Sequence, residues 1–418
     1  MNGINPHKLS SVRLRPARSF LAAGLVLTVG LVVWFAGSAQ AARSDPRADA
    51  RWCGAPVGNV VNVGAPSGDM TGAIEWAINN APNGSASAFT HVRLQAGAVY
   101  NSNGPIRVAG GKHHICLDGR GATIRRTSRN SDQQIVMVKG NTDLGFMNFT
   151  LKGSYPAAYH YDDNYGKGHA FGAGFQMRDV NGFELFNVTV RDSEGDWMFM
   201  AGDGGPKRKT SYDSWVRNGR IHHSRFRHSG RQGISPVSAR DIRIDHNYMG
   251  DSALNMIDFE PMNSGQGYSD VTVAHNTIDG GMGTKWVSIG GHSGGGCGVD
   301  TNRILIHHNL FTVKDAYMQV HLKGGDCKIT HEDVRIRDNL AKFASNPNWM
   351  SKVQSHKNRE VFKVTVPSPG SVVENNVQPL CGTCTWTGGS QQGSVTFRNN
   401  TQTGQLTNMG VNHTTEQK

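Results

Sequence analysis

The first 41 residues contain no acidic side chain, although Lys8, Arg13, Arg15 and Arg18 fall there ahead of an apolar run from Phe20 to Ala36. A basic start, an apolar centre and the small-residue stretch Ala39-Gln40-Ala41 make residues 1–41 an export signal. No twin-arginine pair precedes the run, and no later stretch is apolar enough to enter a bilayer. The run itself is close to the lower length for a span, so the signal is either cleaved or kept as an anchor. In both cases the body is secreted or held outside the cell. Charged residues make up only 18% of the chain, and no concentrated Lys/Arg stripe is present, which argues against a nucleic-acid partner. No second Cys-x-x-Cys accompanies Cys381–Cys384, and no thioredoxin-like pattern surrounds it, which disfavours a zinc ribbon or a redox centre. The glycine run Gly290 to Gly296 is not followed by Gly-Lys-Ser/Thr, so it reads as a long turn rather than a phosphate loop.

The 418 residues, 37% of them hydrophobic, are enough to bury a sizeable core, and 52 glycines indicate many turns. Removing the four early cations from the formal charge of +11 leaves about +7 on the body. Acidic polymers such as uronate polysaccharides, teichoic acids or nucleic acid would be drawn to such a surface, although net charge constrains association and not fold. The six cysteines are even in number and suit an oxidising compartment. Cys297 and Cys327 lie 30 residues apart and are expected to bridge neighbouring repeats. Cys53 and Cys116 would then tie down the N-terminal segment, and Cys381 and Cys384 would close locally.

After a linker over residues 42–57, the stretch from Asn59 to Gly84 reads as a strand followed by a helix. Ala73, Ile74, Ala77 and Ile78 share one face of that helix, and Asn83-Gly84 ends it. Two strand-and-turn patterns follow, containing Gly97-Ala98-Val99-Tyr100 and Gly121-Ala122-Thr123-Ile124. This run resembles the entry cap of the pectin-lyase-like β-helix superfamily, in which a short helix covers the first coil.

From there the chain repeats one short pattern: apolar, any, apolar, two polar, usually Asn. Its last position falls at Phe149, Val188, Ser224, Asn247, Asn276, Asn309, Asn339, Asn376 and Asn400, at spacings from 23 to 39 residues. Variable spacing around a fixed strand fits a solenoid whose coils differ in loop length, each too small to bury its own core. Asn recurs because its side chain tolerates turn geometry and can bond to its copy one coil away. The expected fold is all-β, a right-handed parallel β-helix over residues 58–404 with a short N-terminal capping helix and a polar tail over 405–418. Gly230-Arg231-Gln232-Gly233-Ile234-Ser235, followed one coil later by Ile257-Asp258-Phe259-Glu260-Pro261, resembles secreted bacterial β-helix repeat proteins. The resemblance does not settle a reaction, because that architecture hosts lyases, hydrolases, epimerases and adhesins.

Stacking the Asn turns places Ile234, Ile257, Val287 and Val320 in one inward row. The neighbouring outward rows are Phe199, Ser235, Asp258, Ser288 and His321, then Ala201, Val237, Glu260, Gly290 and Lys323. Asp258, Glu260, His321, Lys323 and Arg231 are the candidate catalytic residues of a shallow exposed groove, with Gln232, Ser235, Ser288 and Lys285 as candidate substrate contacts. Two carboxylates at such a separation suit glycoside hydrolysis, one donating a proton and the other attacking or activating water. Elimination from a uronate instead needs a cation and a base, which Arg231, Lys323 and His321 would supply. A calcium cage is disfavoured because the coils beside Asp258 offer Ser235 and Ser288, and no other metal or cofactor is expected. Asp258 and Glu260 would alternatively pair with Arg231 and Lys285 on a solvated face. Asp192, Glu194 and Asp196 would either line a subsite or solvate a loop, the loop being favoured, and Trp197, Trp215, Trp286 and Trp349 read as either core residues or platforms for sugar rings. The resulting expectation is a monomeric polysaccharide-cleaving protein, with hydrolysis ahead of elimination and a non-catalytic carbohydrate-binding or adhesion module as the competing class.

Overall fold

The computed structural model describes residues 52–403 except 130–132, 156–171, 203–211, 262–264, 280–284, 291–300, 314–319, 324–330, 344–358, 361, 365–367, 380–383 and 386–394. Residues 1–41, expected to be an export signal, Cys297, Cys327, Cys381, Trp349, residues 291–296 of the glycine run and the tail over 405–418 lie outside the described residues. Among those described, no helix is long and apolar enough to cross a membrane.

The strands pair in parallel, each with its equivalent one coil away, and three rows of strands run along the structure. One row contains Val216–His222, Ser238–Asp245, Gly267–Ala274, Thr301–His307 and Glu332–Arg337. The second contains Arg225–Ser229, Tyr248–Ser252, Thr277–Asp279 and Leu310–Val313. The third, which carries the site, contains Met198–Ala201, Ile234–Pro236, Ile257–Phe259, Val287–Ile289 and Val320–Leu322. Identical residue types align because the register is one to one. Ile221, Ile244, Val273, Ile306, Ile336 and Val373 stack in the interior, all buried. Each such side chain contributes about 1.5–3 kcal/mol by leaving water.

Between the first and second rows the chain turns at the repeated Asn. The Oδ1 of Asn276 accepts from the backbone N–H of Asn247 at 2.9 Å and from its Nδ2 at 3.1 Å. Asn276 Nδ2 in turn donates to Ile244 O at 2.8 Å and to Asn309 Oδ1 at 3.0 Å. The same pattern continues through Asn309, Asn339, Asn376 and Asn400. The residue before each Asn is left-handed, as at His246, His275, His308 and Asp338 with φ from 53° to 56°. His, Asn and Asp are the non-glycine residues that tolerate this region best.

The helix spans Thr71–Asn80 and buries Ile74, Ala77 and Ile78. Ala73, expected on that face, is exposed, and the helix stops before Asn83-Gly84 because Pro82 has no N–H to continue it. The short 3-10 turn Trp52–Gly54 touches four successive strands, Phe89–Arg93, His113–Arg126, Val136–Lys152 and Phe175–Phe186. It is fixed there by the expected disulfide between Cys53 and Cys116 and by the Cys53 N–H, which donates to Glu184 Oε2 at 3.2 Å. Cys384 falls in a two-residue strand, Cys384–Thr385.

Candidate active site

The third row of strands has the register expected from the Asn spacing. Ile234 pairs with Ile257, Ile257 with Val287 and Val287 with Val320, while Asp258 pairs with Ser288 and Ser288 with His321. The outward face differs from expectation in its exposure. Asp258 is 1% exposed, and Ser235, Ser288 and Gln232 are buried with it, so this face is no shallow groove. A second apolar cluster, Ala173, Phe199, Ala201 and Val237, includes members of the two outward rows in the preceding coils. Glu260 is the acid that reaches the surface, with 14% of its side chain exposed.

Arg231 lies at the centre of the polar network. Its Nη1 donates to both oxygens of Asp196 at 3.0 and 2.9 Å, and its Nη2 donates to Glu260 Oε2 at 3.2 Å. The Gln232 backbone N–H also donates to Asp196, at 3.1 Å. Gln232 Nε2 donates to Asp258 Oδ2 and, at 3.2 Å, to Glu260 Oε2. One amide nitrogen thus holds both carboxylates, so the two accepting oxygens are within two hydrogen-bond lengths, roughly 6 Å, of each other. Glycines flank this segment because of close approach and not because of φ. A Cβ at Gly230 would strike the Glu194 carbonyl, and one at Gly233 would strike the Met256 carbonyl and the Trp197 ring. Gly290 likewise leaves room for the Lys323 side chain to lie across it.

Burial pushes the Glu260 carboxyl up to about 7, and the Asp258 charge adds to the effect. Arg231 and Lys323 oppose the shift without cancelling it. Burial also raises Asp196, against the Arg231 charge. Three polar atoms around the pair, Asp258 Oδ1, Gln232 Oε1 and Ser288 Oγ, are buried and have no hydrogen-bond partner among the described residues.

Of the candidate residues, Arg231, Gln232, Asp258 and Glu260 meet directly. Ser288 and His321 continue the Asp258 row, and Lys323 acts on Glu260 through its charge. Lys285 gives its backbone carbonyl to the Met256 N–H, and of the alternative pairing of the two acids with Arg231 and Lys285 the structure shows the ion pair of Arg231 and Glu260. Asp196, for which a solvated loop was favoured over a subsite, is 0% exposed and forms the base of the network, and Asp192 and Glu194 are buried beside it. Its sequence signal was its position one coil before Arg231, immediately ahead of the Trp197 core residue. Trp197, Trp215 and Trp286 are completely buried and form core, so they offer no face to a sugar ring.

No protein-family model and no curated protein sequence matches the chain. Solved structures do. An exopolygalacturonase from Thermotoga maritima superposes with a TM-score of 0.53 at 11% identity, over 83% of this chain and 92% of that one. An alginate lyase from a Paenibacillus species gives 0.53 at 12% identity, over 81% and 99%. The fold is the pectin-lyase-like parallel β-helix. A third structure with this β-helix, the endo-xylogalacturonan hydrolase from Aspergillus tubingensis, gives 0.50 at 11% identity, over 82% and 91%. At such identities the β-helix likeness is one of fold, and function has to be argued from the site.

Proposed function

We propose that the protein is an exported polysaccharide-cleaving enzyme that works by glycoside hydrolysis, with Glu260 as the proton donor and Asp258 as its partner carboxylate. The observation that carries this reading is the pair itself: two acids on one amide nitrogen, one of them pushed up to about 7. A carboxyl that keeps its proton near neutral pH while reaching the surface is suited to protonate a glycosidic oxygen. Asp258 holds the proton on Glu260 by its charge and is the second carboxylate that hydrolysis requires. Asp196 is a positioning residue, since it fixes Arg231 and the Gln232 backbone, which in turn hold Glu260 and Asp258. Because Arg231 is committed to Asp196 and Glu260, elimination would have to depend on Lys323 and His321. The basic body favours an acidic polymer. The names of the solved structures sharing the fold, which refer to polygalacturonate, alginate and xylogalacturonan, support a carbohydrate substrate.

The test is incubation of the protein with a panel of acidic and neutral polysaccharides, reading new reducing ends and the ultraviolet absorbance of unsaturated products. Reducing ends without absorbance, lost in both Asp258→Asn and Glu260→Gln, are expected. Absorbance would move the assignment to elimination through Lys323 and His321. Full turnover in the double amide variant would overturn the assignment of the pair, and binding without turnover would leave a carbohydrate-binding module.

A further inference from the structure

A histidine occupies the left-handed position before the ladder residue in four successive coils: His223, His246, His275 and His308. Their rings stack face to face along the axis, with centroids 5.1, 5.0 and 5.0 Å apart. A stack of this kind has a purely structural explanation, since His tolerates the turn and aromatic rings one coil apart fall into contact. It does not explain His307. This residue lies beside His308 and adds a third imidazole from outside the stack, edge-on to both His275 and His308.

Two other His-His pairs share part of this arrangement: the Nδ1–Nδ1 contact between neighbours is 2.9 Å at His113–His114, 3.0 Å at His222–His223 and 2.8 Å at His307–His308. His222, the equivalent of His307 in its coil, is buried and its Nε2 is taken by Glu184 Oε1 at 2.9 Å. His307 differs in having an imidazole of the neighbouring coil, His275, against its ring. One ring nitrogen from each of His275, His307 and His308 lies within 4.8 Å of the other two, and two of the three residues are exposed.

We propose that His275, His307 and His308 form a surface site for a transition-metal dication of the zinc, copper or nickel class, held by three imidazole nitrogens with its remaining positions open to water or a ligand. An all-nitrogen set suits those ions and not calcium or magnesium, which require oxygen donors. Three histidines with an open position are also a recognised zinc donor set. In a tetrahedral site with metal–nitrogen bonds of about 2.0–2.1 Å the nitrogens come to roughly 3.4 Å from one another, so modest side-chain rotation closes the triad. Neutral imidazoles are needed, and burial lowers both His275 and His307, the latter to about 4, with the neighbouring imidazoles adding to the effect. The charged groups bearing on this face are Arg243 and Arg337, which disfavour a dication, and Asp245, which favours one but is bonded to Arg220 and His246. The balance points to moderate affinity at neutral pH and to loss of the ion as the triad is protonated.

The experiment uses the full chain without an affinity tag, stripped with chelator and titrated with Co²⁺ by visible absorption and with Zn²⁺ by calorimetry. About one equivalent should bind. His307→Ala and His275→Asn should each weaken binding tenfold or more, whereas His223→Asn, in the stack but outside the triad, should leave it within twofold. Asn keeps the left-handed turn, and circular dichroism of each variant establishes that the coil persists. Absence of binding to the wild-type chain, unchanged affinity in His307→Ala, or an equal loss in His223→Asn would each overturn the assignment.

Discussion

Replacing Glu260 by Gln should stabilise the fold at alkaline pH and leave it unchanged in acid. In the native protein the carboxyl lies at about 7, against an ordinary value of 4.5. Between those two values the folded state binds a proton that the unfolded chain has released, so stability falls as the pH rises through that window. Above it, the full penalty of an ionised, largely buried Glu260 is present, about 3 kcal/mol for a change of this size. Below 4.5 both states carry the proton and the group contributes nothing. Gln has nearly the same shape and never ionises. Gln keeps a carbonyl acceptor for Arg231, and the attraction of Arg231 for the ionised carboxylate is already contained in the value of about 7. The net expectation is a gain of about 3 kcal/mol at pH 8 and no change at pH 4. Urea unfolding of both proteins, followed by circular dichroism at pH 4, 5.5 and 8 and constant ionic strength, measures it. A difference that does not vary with pH, or a variant less stable than wild type at pH 8, would refute the elevated carboxyl.

Two further outcomes are accessible to the same measurement. Asn276→Ala removes the side chain that satisfies the Asn247 N–H, the Ile244 carbonyl and Asn309 Oδ1, so roughly 3 kcal/mol or more should be lost. Asn400→Ala, at the half-buried end of the ladder, should cost clearly less, and equal losses would show that the ladder bonds are not what the coils depend on. Arg231→Met leaves Asp196 buried without its partner and should cost about 3–5 kcal/mol. Adding Asp196→Asn should recover part of that loss, and simple additivity of the two would argue against the pairing.

The repeat was legible because it is a local signal. An apolar-x-apolar strand ending in Asn recurs in the sequence, and one-to-one pairing converts that recurrence directly into the Ile257, Val287 and Val320 register. The neighbours of Asp258 along the axis followed from the same count. Its burial did not, because the repeat assigns a residue to the outer face of its strand and does not say what packs against that face. The solvated loop was favoured for Asp196 for a related reason: three acids in five residues look solvated until the guanidinium from the next coil is placed against one of them. The glycines around Arg231 are visible in the sequence, but their cause is a carbonyl or a ring from an adjacent coil, which the sequence does not place.

The turn at Trp52–Gly54 has a mechanical consequence. A solenoid in which each layer bonds only to its neighbours can unravel from either end one layer at a time. Here a single segment lies across four layers and is pinned covalently at Cys116 and by the Cys53 N–H at Glu184. Peeling the first layer therefore requires releasing the next three together, so the N-terminal end behaves as one block and progressive loss of layers is directed to start elsewhere along the axis.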